Sequence, residues 1–166
     1  MFPFPRFPLR ALGLLLALFN RLPAVGQVGH PAPSFALTDQ FGATTTLRFP
    51  QPGPVVLIFT DRSGRGEARQ WVAALTGTSP GPVPAVRLVP IACTGWVPGL
   101  FQAQVRRGFA QAKPILIDWN NAVAKQYGYA GSGCRLVAVS AAGRIVATSG
   151  GAYSPTRLAV FTQALH

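Results

Sequence analysis

Acidic side chains are almost missing from this chain. Asp39, Asp61, Glu67 and Asp118 stand against 15 lysines and arginines, which gives a net charge of +11 over 166 residues. The excess reflects absent acids rather than basic tracts, because most arginines are scattered singly and the longest basic run is Arg106-Arg107. Nucleic-acid binders carry a basic face with interleaved aromatics, so this patterning argues against a nucleic-acid partner. It leaves attraction to an anionic membrane surface or to small anions. Cysteine is nearly as scarce. Cys93 and Cys134 are too far apart for a C-x-x-C motif, and no second pair exists to build a zinc site. His30 and His166 are the only histidines, and neither has a neighbour at metal-ligand spacing, so no metal and no cofactor is assigned. Long apolar runs are missing too. The unbroken stretch Ala11 to Phe19 falls well short of the roughly 20 residues that span a bilayer.

What is present is apolar enough to fold, since hydrophobic residues make up 49% of the chain. The first residues have the order of an export leader: Arg6 and Arg10 without an acid, the apolar run, then small residues at Ala24 and Gly26. Residues 1–26 are therefore read either as a signal removed after about Gly26 or as an uncleaved N-terminal anchor. The protein is expected to be exported, periplasmic or extracellular, and an anchor would hold it to the membrane. Two cysteines suit an exported chain, where a disulfide can persist. Residues 27–166 form the single expected domain.

Period-2 alternation in Ser34–Thr38, a turn at Asp39–Gly42 and a second arm at Ala43–Leu47 predict an N-terminal hairpin. Val55–Thr60 is a continuous β-branched and apolar run, as in strands covered on both faces. Glu67–Thr76 has helical spacing, with Ala68, Trp71, Val72 and Leu75 on one side. A proline-marked loop follows at Pro80, Pro82 and Pro84. Val86–Cys93 reads as a strand, and Pro90 assigns it to an edge or an end. A helix over Val97–Ala110, a short strand over Ile115–Asp118 and a helix over Asn121–Tyr127 closed by Gly128 come next. Arg135–Ser140 and Arg144–Thr148 flank a turn at Ala141–Gly143, and Pro155–Leu165 closes the chain as a helix. This order predicts a mixed sheet with helices on both faces.

Four segments resemble the thioredoxin-like superfamily, in its redoxin and peroxiredoxin branch (the alkyl hydroperoxide reductase and thiol-specific antioxidant group). They are Val28–Gly42, Pro54–Thr60, Pro114–Asp118 with Ala124–Gly128, and Val139–Val146, and together they span the chain after Gln27. The resemblance implies a three-layer α/β/α fold and a thiol oxidoreductase with antioxidant activity. It also places the reactive thiol in the turn after Val55–Thr60. This chain has Thr60-Asp61-Arg62-Ser63 there, with serine at the thiol position, and Ser63-Gly64-Arg65-Gly66 in place of C-x-x-C. A hydroxyl with no activating histidine cannot form a mixed disulfide or cycle through a sulfenic acid. The family-position candidates for catalysis are thus Thr60, Ser63, Cys134 and Arg135, with Cys134 at the family's cis-proline position and Arg135 near its arginine.

Plainer readings stand beside these. Ser63 suits a helix N-cap whatever its ancestry. Arg62, Gly64, Arg65 and Gly66 either open a helix N-terminus towards a small anion or form a solvated turn, with Asp61 in a surface ion pair. Cys134, beside Gly131, Ser132 and Gly133, is expected in an exposed loop with Arg135 lowering its pKa. Cys93 reads as a buried strand-end residue. The two would lie two strand spacings apart, roughly 9 to 10 Å, beyond the ~7 Å of a disulfide. Trp96 and Trp119 read as covers for core edges. The partners in view are a redox protein or a small anion. The sequence supports a protein without the standard disulfide-exchange or peroxidase centre, or alternatively a non-catalytic binding module, or a one-thiol redox protein using Cys134.

Overall fold

Five consecutive buried residues, Val55 to Phe59, can be accommodated only in a strand with neighbours on both edges and cover on both faces, and Val55–Thr60 (β3) has that position. The computed structural model of the chain describes residues 26–77, 86–97, 99–109 and 113–165. The expected leader or anchor and the prolines at 80, 82 and 84 lie outside them, as does most of the expected 1–26 boundary.

The remaining elements are β1 (Phe35–Asp39), β2 (Thr44–Leu47), α1 (Arg65–Gly77), β4 (Arg87–Cys93), α2 (Gly99–Arg107), β5 (Leu116–Asp118), α3 (Ala122–Gln126), β6 (Cys134–Val139), β7 (Ile145–Gly150) and α4 (Pro155–Gln163). The sheet runs β2-β1-β5-β4-β3-β6-β7. β3 pairs in parallel with β4 and antiparallel with β6, so the two cysteine-bearing strands flank it. The hairpins at the two ends of the chain's domain form the two edges of the sheet. No described helix is long and apolar enough to cross a membrane.

Alternation along β3 divides the core. Val55, Leu57 and Phe59 face α3 with Val123, Ala124 and Tyr127. Val56 and Ile58 face α1 and α4 with Trp71, Leu158 and Phe161. Helices thus cover both faces in three layers. On the first face Tyr127 packs against Phe35 and Phe59 and donates its hydroxyl to the Pro33 carbonyl. On the second Trp71 is fully buried, edge-on to Tyr153, and its Nε1 donates to the Gly151 carbonyl at 3.0 Å.

Two expectations need correction. Pro90 lies inside central β4, opposite Ile58, and not at an edge. β5 pairs with β4 only from Ile91 onward, so one flank of the strand is open where the proline's N–H is missing. The second helix is short, ending at Arg107, and it buries none of its residues.

Trp71 carries the α1–β7 junction. Trp71→Ala should cost about 3–5 kcal/mol in equilibrium urea unfolding. Trp71→Phe, which keeps a ring but loses the Gly151 bond, should cost less.

Candidate functional site

The C-terminal end of β3 brings together the turn that opens α1 and the loop that opens β6. Thr60 is directly opposite Cys134. The chain then bends through Asp61, whose N–H donates to the Gly133 carbonyl at 3.4 Å. The Asp61 carboxylate turns back on its own loop. It accepts the Ser63 hydroxyl at 2.7 Å and the Gly64 N–H at 3.0 Å. This is the Asx-type turn that aspartate forms with residues two and three positions on. Burial pushes the Asp61 carboxyl upward, but the hydrogen bonds from Ser63, Gly64 and Gly133 outweigh it and hold its pKa below the ordinary value.

Ser63 is therefore not the helix cap. Its hydroxyl donates to Asp61 and accepts the Gly133 N–H at 3.3 Å, stitching the turn to the β6 loop. The Gly64 carbonyl accepts the first helical N–H, from Ala68. The expected surface ion pair is also replaced. Asp61 is occupied by the turn, and the Arg65 guanidinium lies 4.7 Å from the centre of the Phe109 ring.

Gly133 is the hub. Its carbonyl also accepts the Tyr129 hydroxyl at 3.0 Å. Its φ of 74° is in the left-handed region that favours glycine. Gly64 sits directly against it: a Cβ added at Gly64 would lie 2.1 Å from the Gly133 carbonyl carbon and oxygen and 2.7 Å from the Cys134 nitrogen. The turn and the loop are in backbone contact, with no room between them for a side chain at position 64.

The structure unites Thr60, Ser63 and Cys134 but sends Arg135 elsewhere. Cys134 faces α1 with Val56, Ile58 and Trp71. Arg135, the next residue along the strand, points to the opposite face, where its Nε donates to the Tyr127 carbonyl at 2.9 Å and its Nη2 to the Gly26 carbonyl at 3.5 Å. The expected activation of Cys134 by Arg135 is thereby overturned. Nor is Cys134 exposed: the glycine-rich loop folds down onto α1 and buries it. Burial, and then the negative charge of Glu67, pushes the Cys134 thiol up to about 12. One Glu67 carboxylate oxygen is itself buried without a hydrogen-bond partner. Cys93 lies on the other face of the sheet, among Phe59, Tyr127 and Tyr129. Burial, followed by Asp118, pushes it also to about 12. Both thiols are free, and they lie in the core clusters on opposite faces of the sheet.

Of the anion-site candidates, Arg62, Arg65 and Gly66 are exposed and Gly64 is buried. The Asp61 carboxylate already takes the Gly64 N–H and stands at the helix N-terminus where an external anion would bind. Sequence reasoning missed Asp61 as the organiser of the turn. The signal was present in Asp61-Arg62-Ser63-Gly64, an aspartate followed by serine and glycine.

No known family and no curated protein matches the sequence. Solved structures do match. The pneumococcal exposed lipoprotein thioredoxin of Streptococcus pneumoniae superposes with a TM-score of 0.59 at 16% identity, covering 80% of this chain and 100% of its own. A secreted Mycobacterium tuberculosis disulfide oxidoreductase gives 0.55 at 21%, over 79% and 96%. The peroxidoxin BcpB of the same organism gives 0.53 at 19%, over 84% and 96%. These likenesses establish the thioredoxin-like α/β fold of the chain, and the activities in those names belong to those proteins.

The buried thiols generate a pH expectation. An ordinary thiol titrates near 9, and both native thiols titrate near 12. Between these values the unfolded chain releases protons that the native chain keeps, so stability falls as pH rises through about 9 to 12. Cys134→Ala should flatten that fall. At pH 8, iodoacetamide should label both cysteines at least about tenfold more slowly in the native than in the urea-unfolded chain. Fast native labelling of Cys134 would overturn the burial assignment.

Proposed function

We propose that this chain is an exported thioredoxin-fold protein of the redoxin and peroxiredoxin type that has given up disulfide exchange and peroxide reduction and acts by binding. The observation that carries this reading is the β3–α1 turn. It holds no thiol and is closed onto Gly133 by backbone contact at Gly64. Disulfide exchange needs a thiolate that is both formed and reachable. Cys93 and Cys134 are buried, protonated at neutral pH, and placed on opposite faces of the sheet. Neither has a partner thiol to resolve a mixed disulfide.

Export is supported by the charge order and small-residue exit of residues 1–26. It agrees with the description of two structural neighbours as an exposed lipoprotein and a secreted oxidoreductase. A small anion at Arg62–Gly66 is the weaker alternative, because Asp61 already fills the helix N-terminus.

Reduction of insulin by dithiothreitol and consumption of hydrogen peroxide, each followed with the full-length protein, test the loss of turnover. Both rates should equal the protein-free blanks. Turnover that disappears in Cys134→Ser would replace this reading with a one-thiol redox protein.

A further inference from the structure

The four acidic residues of the chain all face inward or into local hydrogen bonds. Asp39 is buried and accepts the N–H groups of Phe41 and Ala43. Asp118 is buried and accepts those of Ala122 and Ala124. Asp61 is held by Ser63 and Gly64, and Glu67 has a buried oxygen. The outer surface is thus cationic, with Arg62, Arg65, Arg69, Arg87, Arg107 and Arg144 among its exposed residues.

Against that background, α2 and the loop leading into it expose apolar groups. Trp96 is 82% exposed, Leu100 79% and Phe101 49%, while no residue of α2 is buried. Trp96 does not cover a core edge, contrary to expectation. Trp119 is overlaid instead by the Arg106 guanidinium, 5.8 Å from its ring centre. In the last turn of the helix Arg107 is exposed, while Arg106 is half-buried against Trp119. Three apolar side chains on one short helix and its lead-in fall far short of the roughly 800 Å² per partner of a stable protein interface. They match shallow insertion, in which tryptophan, phenylalanine and leucine enter the headgroup boundary while arginines meet anionic lipid.

We propose that Trp96 together with α2 (Gly99–Arg107) is a membrane-docking face that seats the domain on an anionic phospholipid bilayer. The face uses none of the residues of the β3–α1 turn or the cysteines, so it stands whether or not the thiols turn over. Co-sedimentation of the full-length protein with vesicles tests it, using phosphatidylcholine alone and phosphatidylcholine with 30% phosphatidylglycerol. Binding should require phosphatidylglycerol and weaken with salt. The combined variant Trp96→Ala, Leu100→Ala, Phe101→Ala should bind at least tenfold more weakly. Arg87→Gln with Arg144→Gln, which removes two charges at the opposite end of the sheet, should change binding less than threefold. Absence of binding to the anionic vesicles overturns the proposal. So does equal binding to neutral vesicles, which would assign attachment to the apolar N-terminal residues. So does a triple variant that binds like the parent, which would leave only diffuse charge.

Discussion

Gly64 and Gly133 meet backbone to backbone, and the arrangement of the whole C-terminal end of the sheet depends on that contact. With no Cβ at Gly64, α1 can start against the loop that opens β6. With left-handed backbone at Gly133, that loop can turn its carbonyl to both the Asp61 N–H and the Tyr129 hydroxyl. Its N–H then meets Ser63. A side chain at Gly64 would separate the two segments, and one at Gly133 would strain the left-handed backbone that holds the loop in place. The contact also buries Cys134 beneath α1.

The pleat of the sheet decides what the titratable groups can do. Cys134 and Arg135 are neighbours in sequence, yet alternation puts the thiol against Trp71 and the guanidinium on the Tyr127 carbonyl. Cys93 falls on the Tyr127 face as well. Each buried thiol therefore has a carboxylate rather than a cation as its main charged influence, Glu67 for Cys134 and Asp118 for Cys93. Both effects favour the protonated sulfur. The scarcity of acids has a related consequence. The acids that remain shape turns and helix starts, which leaves the arginines on the surface with few neutralising neighbours.

The strands and their order were legible because their signals are local and strong: a β-branched run at Val55–Thr60, alternation at Phe35 and Leu37, and a glycine turn at Gly143. The helices over Arg65–Gly77 and Pro155–Gln163 were legible from apolar spacing, with boundaries off by a few residues. The site was less so. Glycines at 131 and 133 resemble a solvated loop in sequence, but Gly133 meets Gly64 in the close approach beside Cys134. The adjacency of Arg135 was misleading because face, not sequence distance, sets contact in a strand. Pro90 was misplaced because sequence does not reveal that β5 begins pairing only at Ile91. Trp96 offered no periodic signal, and its exposure depends on how little of itself α2 buries.

The measurement that bears most directly on the closed turn compares two glycines on either side of Arg65. A Cβ at Gly64 would strike the Gly133 backbone, whereas at Gly66 it would meet nothing within 4 Å. In equilibrium denaturation Gly64→Ala should lose about 1–3 kcal/mol from overpacking. Gly66→Ala should be neutral or gain up to about 1 kcal/mol from helix propensity. Equal stability of the two variants, with Cys134 as slow to alkylate in Gly64→Ala as in the parent, would contradict a turn sealed by the Gly64–Gly133 contact.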